Sequence, residues 1–222
     1  MEVREYNKVI AYIKDLIREG SLKTGDKLPT ERELAETLTV GRYSIREAMR
    51  IMDAMGLIES RQGSGNYLIT NIEKNLTETM DLMLLIKEVD YVQISQLRRA
   101  IELYAYGCAI QQFSDEQVEE ISTSIEKMRI TTGTEKAQFD KQFHDEIIRG
   151  SGNTLIISIM ESLSSVCNDL IEKVVTEAEP EVEKALSEAH EDVLKGLRSR
   201  DLSIGLAAIH RHYDIIDTEI SK

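Results

Sequence analysis

The stretch Leu28–Leu68, LPTERELAETLTVGRYSIREAMRIMDAMGLIESRQGSGNYL, constrains this chain more tightly than any other. Thr30 is a natural helix N-cap, and Glu33 three residues on completes a capping box. Leu34, Ala35 and Leu38 give that helix a short apolar face. Thr39-Val40-Gly41 breaks it, and a second helix starts near Arg42. There Ile45, Ala48, Met49 and Met52 share one side by 3.6-residue periodicity. Arg42, Arg46 and Arg50 recur every fourth residue, so their guanidinium groups project from another common face. Two short helices about a tight turn, with an arginine row on the second, describe a helix-turn-helix and its recognition helix. Gly56 ends that helix. Gly-Leu-Ile-Glu-Ser and Asn-Tyr-Leu-Ile then read as two short strands around a glycine-rich tip, Arg61–Gly65, which makes a wing.

The pieces LPTERELA, VGRYSIREA and GLIESRQGSGNYL, in that order, carry a resemblance. Residues 5–70 resemble the winged helix-turn-helix of GntR-family bacterial transcription regulators. The resemblance implies DNA contacts from Arg32, Arg42, Ser44 and Arg46, with Arg61 and Gly63 of the wing reaching DNA and the Gly63 tip in the minor groove. One position departs from the family pattern: Gly41 stands where the recognition helix usually has a serine N-cap. Glycine caps almost as well, so the fold is kept and only a side-chain phosphate contact is lost.

Net charge is −13, which at first argues against a nucleic-acid partner. The charge is unevenly placed. Residues 1–70 hold 11 Lys+Arg and 11 Asp+Glu, whereas residues 71–222 hold 16 and 29. A neutral module with arginines gathered on one helix still offers phosphate a positive face. At 222 residues the chain suits two domains: a DNA-binding domain over 1–70, a polar linker over 71–75 and a second domain over 76–222. The longest apolar run, Leu82–Ile86, is too short to cross a bilayer. The charged N-terminus lacks a signal-peptide core. Cys108 and Cys167 form no CxxC and read as small core residues. A cytoplasmic protein is expected, without a membrane partner.

From Leu76 onward there is no strand signal. Breaks at Glu88–Tyr91, Phe113-Ser114, Thr131–Thr134, Gly150–Asn153, Thr176–Pro180 and Ser199–Asp201 leave seven helical segments. Ser114 with Gln117, Asn153 and Asp201 are candidate caps, and Pro180 suits a first helical turn. The stripe Val182, Leu186, Ala189, Val193, Leu197 points to a helical bundle. The expected fold class is therefore mainly α, a winged helix-turn-helix followed by an all-α bundle of about seven helices.

All four histidines lie in this second half. Asp140 and His144 are i,i+4 on one helix, so their side chains lie a turn apart on one face. His190 flanks the apolar stripe of the penultimate helix. His210 and His212 sit on opposite edges of the last stripe, and periodicity does not choose between them. Imidazoles with a carboxylate suit a divalent transition metal, zinc first, with nickel or manganese also admissible. Residues 76–222 in turn resemble the all-helical FCD domain of FadR-type GntR regulators, through QLRRAIELYAYGCA, FDKQFHDEIIRGSGN, EAHEDVLKGLRSRD and AAIHRHY. That resemblance fills all four positions of the metal-binding subset with Asp140, His144, His190 and His212. It leaves His210 outside and makes an acyl-coenzyme A ligand unlike this chain. In the segment Arg98-Arg99-x-x-Glu102 the bland alternative is a surface Arg98–Glu102 ion pair. The resemblance instead turns Arg98 into the ligand cavity, where it suits a small carboxylate.

The function expected from these residues is a ligand-responsive transcription regulator, a repressor working as a homodimer on a palindromic double-stranded operator. Its effector would be a small carboxylate bound at the metal. Two alternatives use the same residues: a metal-dependent hydrolase, disfavoured by the lack of HExxH, and an architectural DNA binder with a structural metal.

Overall fold

The structure is a computed structural model that describes residues 4–69 and 72–222. These form two compact units, one ending at Asn75 and the other running from Leu76 to Lys222.

In the first unit, α1 (Glu5–Arg18), α2 (Glu31–Leu38) and α3 (Arg42–Ala54) precede a hairpin of β1 (Ile58–Arg61) and β2 (Gly65–Leu68). The capping box of α2 forms as its residues require. The Glu33 amide donates to the Thr30 hydroxyl and the Thr30 amide to the Glu33 carboxylate. Gly41 caps α3 without a side chain. Val9, Ile13, Leu34, Ile45, Ala48, Met52 and Ile58 are buried together, so the apolar stripes of all three helices meet the root of the wing. The antiparallel hairpin pairs Ile58 with Leu68 and Arg61 with Gly65. Gly63 and Gly65 turn its tip at positive φ, where a Cβ would strain the backbone. An isolated β-bridge also braces the wing: Lys27 pairs with Tyr67, and the Leu28 amide donates to Asn66 O at 2.8 Å.

α4 (Ile72–Leu85) starts before Leu76 and runs on into the second unit, which also contains α5 (Tyr91–Gln112), α6 (Asp115–Ile130), α7 (Gly133–Arg149), α8 (Thr154–Val166), α9 (Asn168–Glu177), α10 (Pro180–Ser199) and α11 (Leu202–Ile220). Two expectations need correction. Residues 72–75, expected as linker, are the first turn of α4; Asn71 lies outside the described residues. The unit also has eight helices among the described residues, not seven, because the segment after Asn153 bends by 66° at Cys167 into α8 and α9. No glycine or proline marks that bend, since each half follows its own packing partners.

The expected caps at Ser114, Asn153 and Asp201 form, and Pro180 occupies the first turn of α10. Asp90 with Gln93 adds a capping box that starts α5. Cys167 is buried, but Cys108 is only half-buried, so just one of the two cysteines is a core residue. No single helix among the described residues is long and apolar enough to cross a membrane.

The core of this unit joins α5, α6, α7, α10 and α11 around Tyr106, Ile121, Phe143, Val193, Leu197, Ile209 and Tyr213. Tyr106 is wholly buried, and its hydroxyl donates to Val193 O at 3.2 Å. Gly196 and Gly205 provide its room, for a Cβ at either would run into the Tyr106 ring or hydroxyl. Along α5, Arg98, Glu102, Tyr106 and Ala109 fall on one inward row, all buried. The polar end of that row opens the functional site.

Candidate metal centre and DNA-facing helix

Asp140 and His144 come from α7, His190 from α10 and His212 from α11, and all four are buried. The i,i+4 spacing on α7 sets the first pair, and the α10–α11 hairpin brings the other two against it. One ligand nitrogen from each of the three histidines lies within 4.8 Å of the others. Asp140 stands at the edge of the cluster, its oxygens 3.5 Å from His190 Nε2 and 3.9 Å from His144 Nε2. His210 is exposed on the far side of α11. Tertiary packing thus makes the choice that periodicity left open, and His212 joins the cluster.

Two buried nitrogens, His190 Nε2 and His212 Nδ1, have no hydrogen-bond partner. Burial without a partner is costly for a polar atom, and such groups call for an explanation. Burial pushes His190 down to about 4, against the pull of Asp140. Burial and the neighbouring His144 and His190 likewise hold His212 well below the usual histidine value. Both rings are therefore neutral at pH 7, the form a metal requires. For His144 burial also opposes charge, but Glu102 and Asp140 outweigh it and hold its pKa above the ordinary value. Two donors bound about 2.1 Å from one ion lie at most about 4.2 Å apart. Small rotamer adjustments would therefore let this donor set close on a divalent first-row ion.

Two cavities reach the cluster. One, of about 140 Å³, is lined by Arg98, Asp140, Lys141, His144, Ser164 and Asn168. The other, about 490 Å³, touches Asp140 and His190 from the side of Arg129 and Lys136. Arg98 is 7% exposed and its Nε has no partner. The surface Arg98–Glu102 pair is not what forms. Glu102 is 1% exposed and receives hydrogen bonds from His144 Nδ1 and the Tyr213 hydroxyl, both at 2.7 Å. Sequence reasoning missed Glu102 as a partner of the cluster. Its place midway between Arg98 and Tyr106, four residues from each, was the available signal.

On α3 the row Arg42, Arg46, Arg50 is exposed, opposite the buried Ile45, Ala48, Met49 and Met52. Arg46 Nε pairs with Glu31 at 3.0 Å, and the Ser44 hydroxyl donates to Glu5 at 2.9 Å. Arg32 is exposed, with Glu36 4.0 Å away. In the wing, Arg61 pairs with Glu59 at 2.7 Å and lies over the Tyr67 ring at 4.3 Å, and Gly63 turns the tip at φ 72. Tyr43 is 81% exposed in the first turn of α3, beside Arg42.

Comparison with known proteins agrees with this layout. Residues 5–68 match the family "Bacterial regulatory proteins, gntR family", and residues 93–215 match the FCD domain. The HTH-type transcriptional regulator LutR of Bacillus subtilis is 32% identical over 155 residues, spanning 68% of this chain and 70% of that protein. The Uxu operon transcriptional regulator of Escherichia coli is 28% identical over 160 residues, 70% of this chain and 62% of that one. Among solved structures, Streptococcus agalactiae GntR superposes with a TM-score of 0.65 at 24% identity, covering 99% of each chain, a likeness of fold. The relatives are transcription regulators and not enzymes, which removes the hydrolase alternative. The chain belongs to the GntR family of bacterial transcription regulators, in the FadR-type group whose DNA-binding winged helix-turn-helix is joined to an FCD domain.

Proposed function

We propose that this regulator is a repressor whose grip on a palindromic operator is set by a small carboxylate bound at a metal ion. Asp140, His144, His190 and His212 would hold the ion, zinc in the first instance and nickel or manganese otherwise. The carrying observation is the group of three buried imidazoles, two with unpartnered nitrogens, beside a cavity into which Arg98 brings a buried positive charge. When bound, the ion supplies open coordination positions for oxygen donors. Arg98 then neutralises the carboxylate that fills them. The acidic half of the chain repels anions in general, so selection rests on these particular groups.

The protein acts as a cytoplasmic homodimer, one recognition helix per half-site. Arg32, Arg42, Ser44 and Arg46 approach the major groove, and Arg61 and the Gly63 tip approach DNA from the wing. An effector shifts operator affinity only by its preference between the two placements of the DNA-binding units. The test combines elemental analysis, a thermal-shift screen of small carboxylic acids and operator mobility shifts on the same preparation. One transition metal per chain, a stabilising acid and an operator affinity changed by that acid support the proposal. DNA affinity indifferent to every acid, with the metal present, would favour the architectural binder instead.

A further inference from the structure

Glu102 is the most deeply buried charged side chain of the site, and nothing in effector binding uses it. Each of its oxygens is engaged. Oε1 meets His144 Nδ1 at 2.7 Å, and Oε2 accepts from the Tyr213 hydroxyl at 2.7 Å. An ionised carboxylate only accepts hydrogen bonds, so the ring nitrogen facing it must carry a proton. In the neutral form that a metal requires, the ring has only that one N–H, which leaves His144 Nε2 bare. That nitrogen is the one on the Asp140 side, 3.9 Å from its Oδ2. Tyr213 restrains the carboxylate from its other oxygen. Its own ring packs edge-on to His212, with centroids 5.3 Å apart, and lies under the Arg99 guanidinium at 5.7 Å. Arg99 in turn reaches Asp214 and Asp217 on α11, both at 2.8 Å. α5 is therefore bound to α11 by the Arg99 ion pairs, three residues before Glu102, as well as by the Glu102–Tyr213 bond.

We propose that Glu102 is a positioning residue for the metal: it fixes the tautomer and ring orientation of His144, and Tyr213 locks Glu102 in place. The proposal rests on the metal reading above. Outer groups of this kind typically tune affinity by about 10–100-fold. The alternative is a carboxylate that merely holds α5, α7 and α11 together.

The experiment measures Zn2+ affinity by chelator competition, and the Co2+ absorption spectrum, in the full-length protein, Glu102→Gln, Tyr213→Phe and His144→Ala. Glutamine keeps the size, so helix content should hold. It removes the charge, however, and its NH2 can face His144 Nδ1 as readily as its carbonyl, so the His144 tautomer is no longer fixed. Zn2+ affinity should fall by about 10–100-fold, and the Co2+ bands should shift. Tyr213→Phe should move both in the same direction by less, and His144→Ala should abolish binding. A folded Glu102→Gln with wild-type affinity and spectrum overturns the proposal and leaves the metal reading standing. If Glu102→Gln does not fold, a Tyr213→Phe protein indistinguishable from wild type overturns it. A wild type that takes up neither ion sinks this proposal and the metal reading together.

Discussion

His190 Nε2 on α10 faces Asp140 Oδ1 on α7 across 3.5 Å, both side chains buried, without a hydrogen bond between them. The gap is too long for a good N–H···O contact and suits two groups that share a third. His212, brought in by the α10–α11 hairpin, closes the same space, its ring centroid 4.9 Å from that of His190.

His190→Ala should therefore strip a divalent transition metal from the purified protein, whereas His210→Ala should leave occupancy unchanged. Losing one protein ligand weakens binding by orders of magnitude, and His210 is exposed on the other side of α11. Elemental analysis after dialysis reads both. Metal lost from the His210 variant and kept by a His212 variant would reverse the assignment.

Arg98→Ala should abolish the thermal stabilisation given by a carboxylate effector. A ligand at one hundred times its Kd stabilises by about 2.7 kcal/mol. That gain should vanish in the variant and in chelator-treated wild type alike. A neutral compound stabilising all three forms equally would refute a carboxylate effector.

Arg42→Ala and Arg46→Ala should each cost roughly 1–3 kcal/mol of operator discrimination, with helix content and oligomeric state unchanged. Neither side chain contributes to the buried core of its unit. Arg46 does lose its pairing with Glu31, but an exposed pair of this kind adds little to stability. Mobility shifts on native and scrambled operator separate specific from general binding. Undiminished specificity in both variants would remove α3 from the groove.

Gly205→Ala should destabilise the second unit by about 1–3 kcal/mol, the usual cost of overpacking. The new methyl would meet the buried Tyr106 ring head-on. Urea unfolding followed by circular dichroism measures it, and an unchanged midpoint would mean that Tyr106 moves aside freely.

Acid should weaken the start of α2 through Glu33. Its hydrogen bonds with the Thr30 backbone and hydroxyl hold its carboxyl below the ordinary value of 4.5. A group depressed on folding gives stability that is present above the unfolded pKa and lost as pH falls through the folded one. Wild type should thus exceed Glu33→Gln in melting temperature at pH 7, and the two should converge in acid. A difference that stays constant from pH 7 to pH 3 would show that the charge of Glu33 does not matter.

The local grammar of the chain was legible without any structure. Thr30 with Glu33, Ser114 with Gln117 and the positive-φ glycines of the wing act through backbone groups within a few residues, so their chemistry is complete in the sequence. The same holds for the arginine row, since helical spacing alone places Arg42, Arg46 and Arg50 on one face. By itself, then, the sequence determined the winged module, the helical character of the rest and the residue types able to bind an ion.

Other features depended on partners distant in sequence. The bend at Cys167 has no local breaker, because α8 and α9 each follow what they pack against. Periodicity put His210 and His212 on equal terms, and only the packing of α11 on α10 buried one and exposed the other. Arg98 and Glu102 have the spacing of a surface ion pair, and either exposure was compatible with it. They are buried because α7 and α11 close over that end of α5, bringing His144 and Tyr213 to Glu102 from 42 and 111 residues away. Where a charge is desolvated, and by whom it is satisfied, is a property of the assembled bundle, so the tertiary structure alone decided the shape of this site.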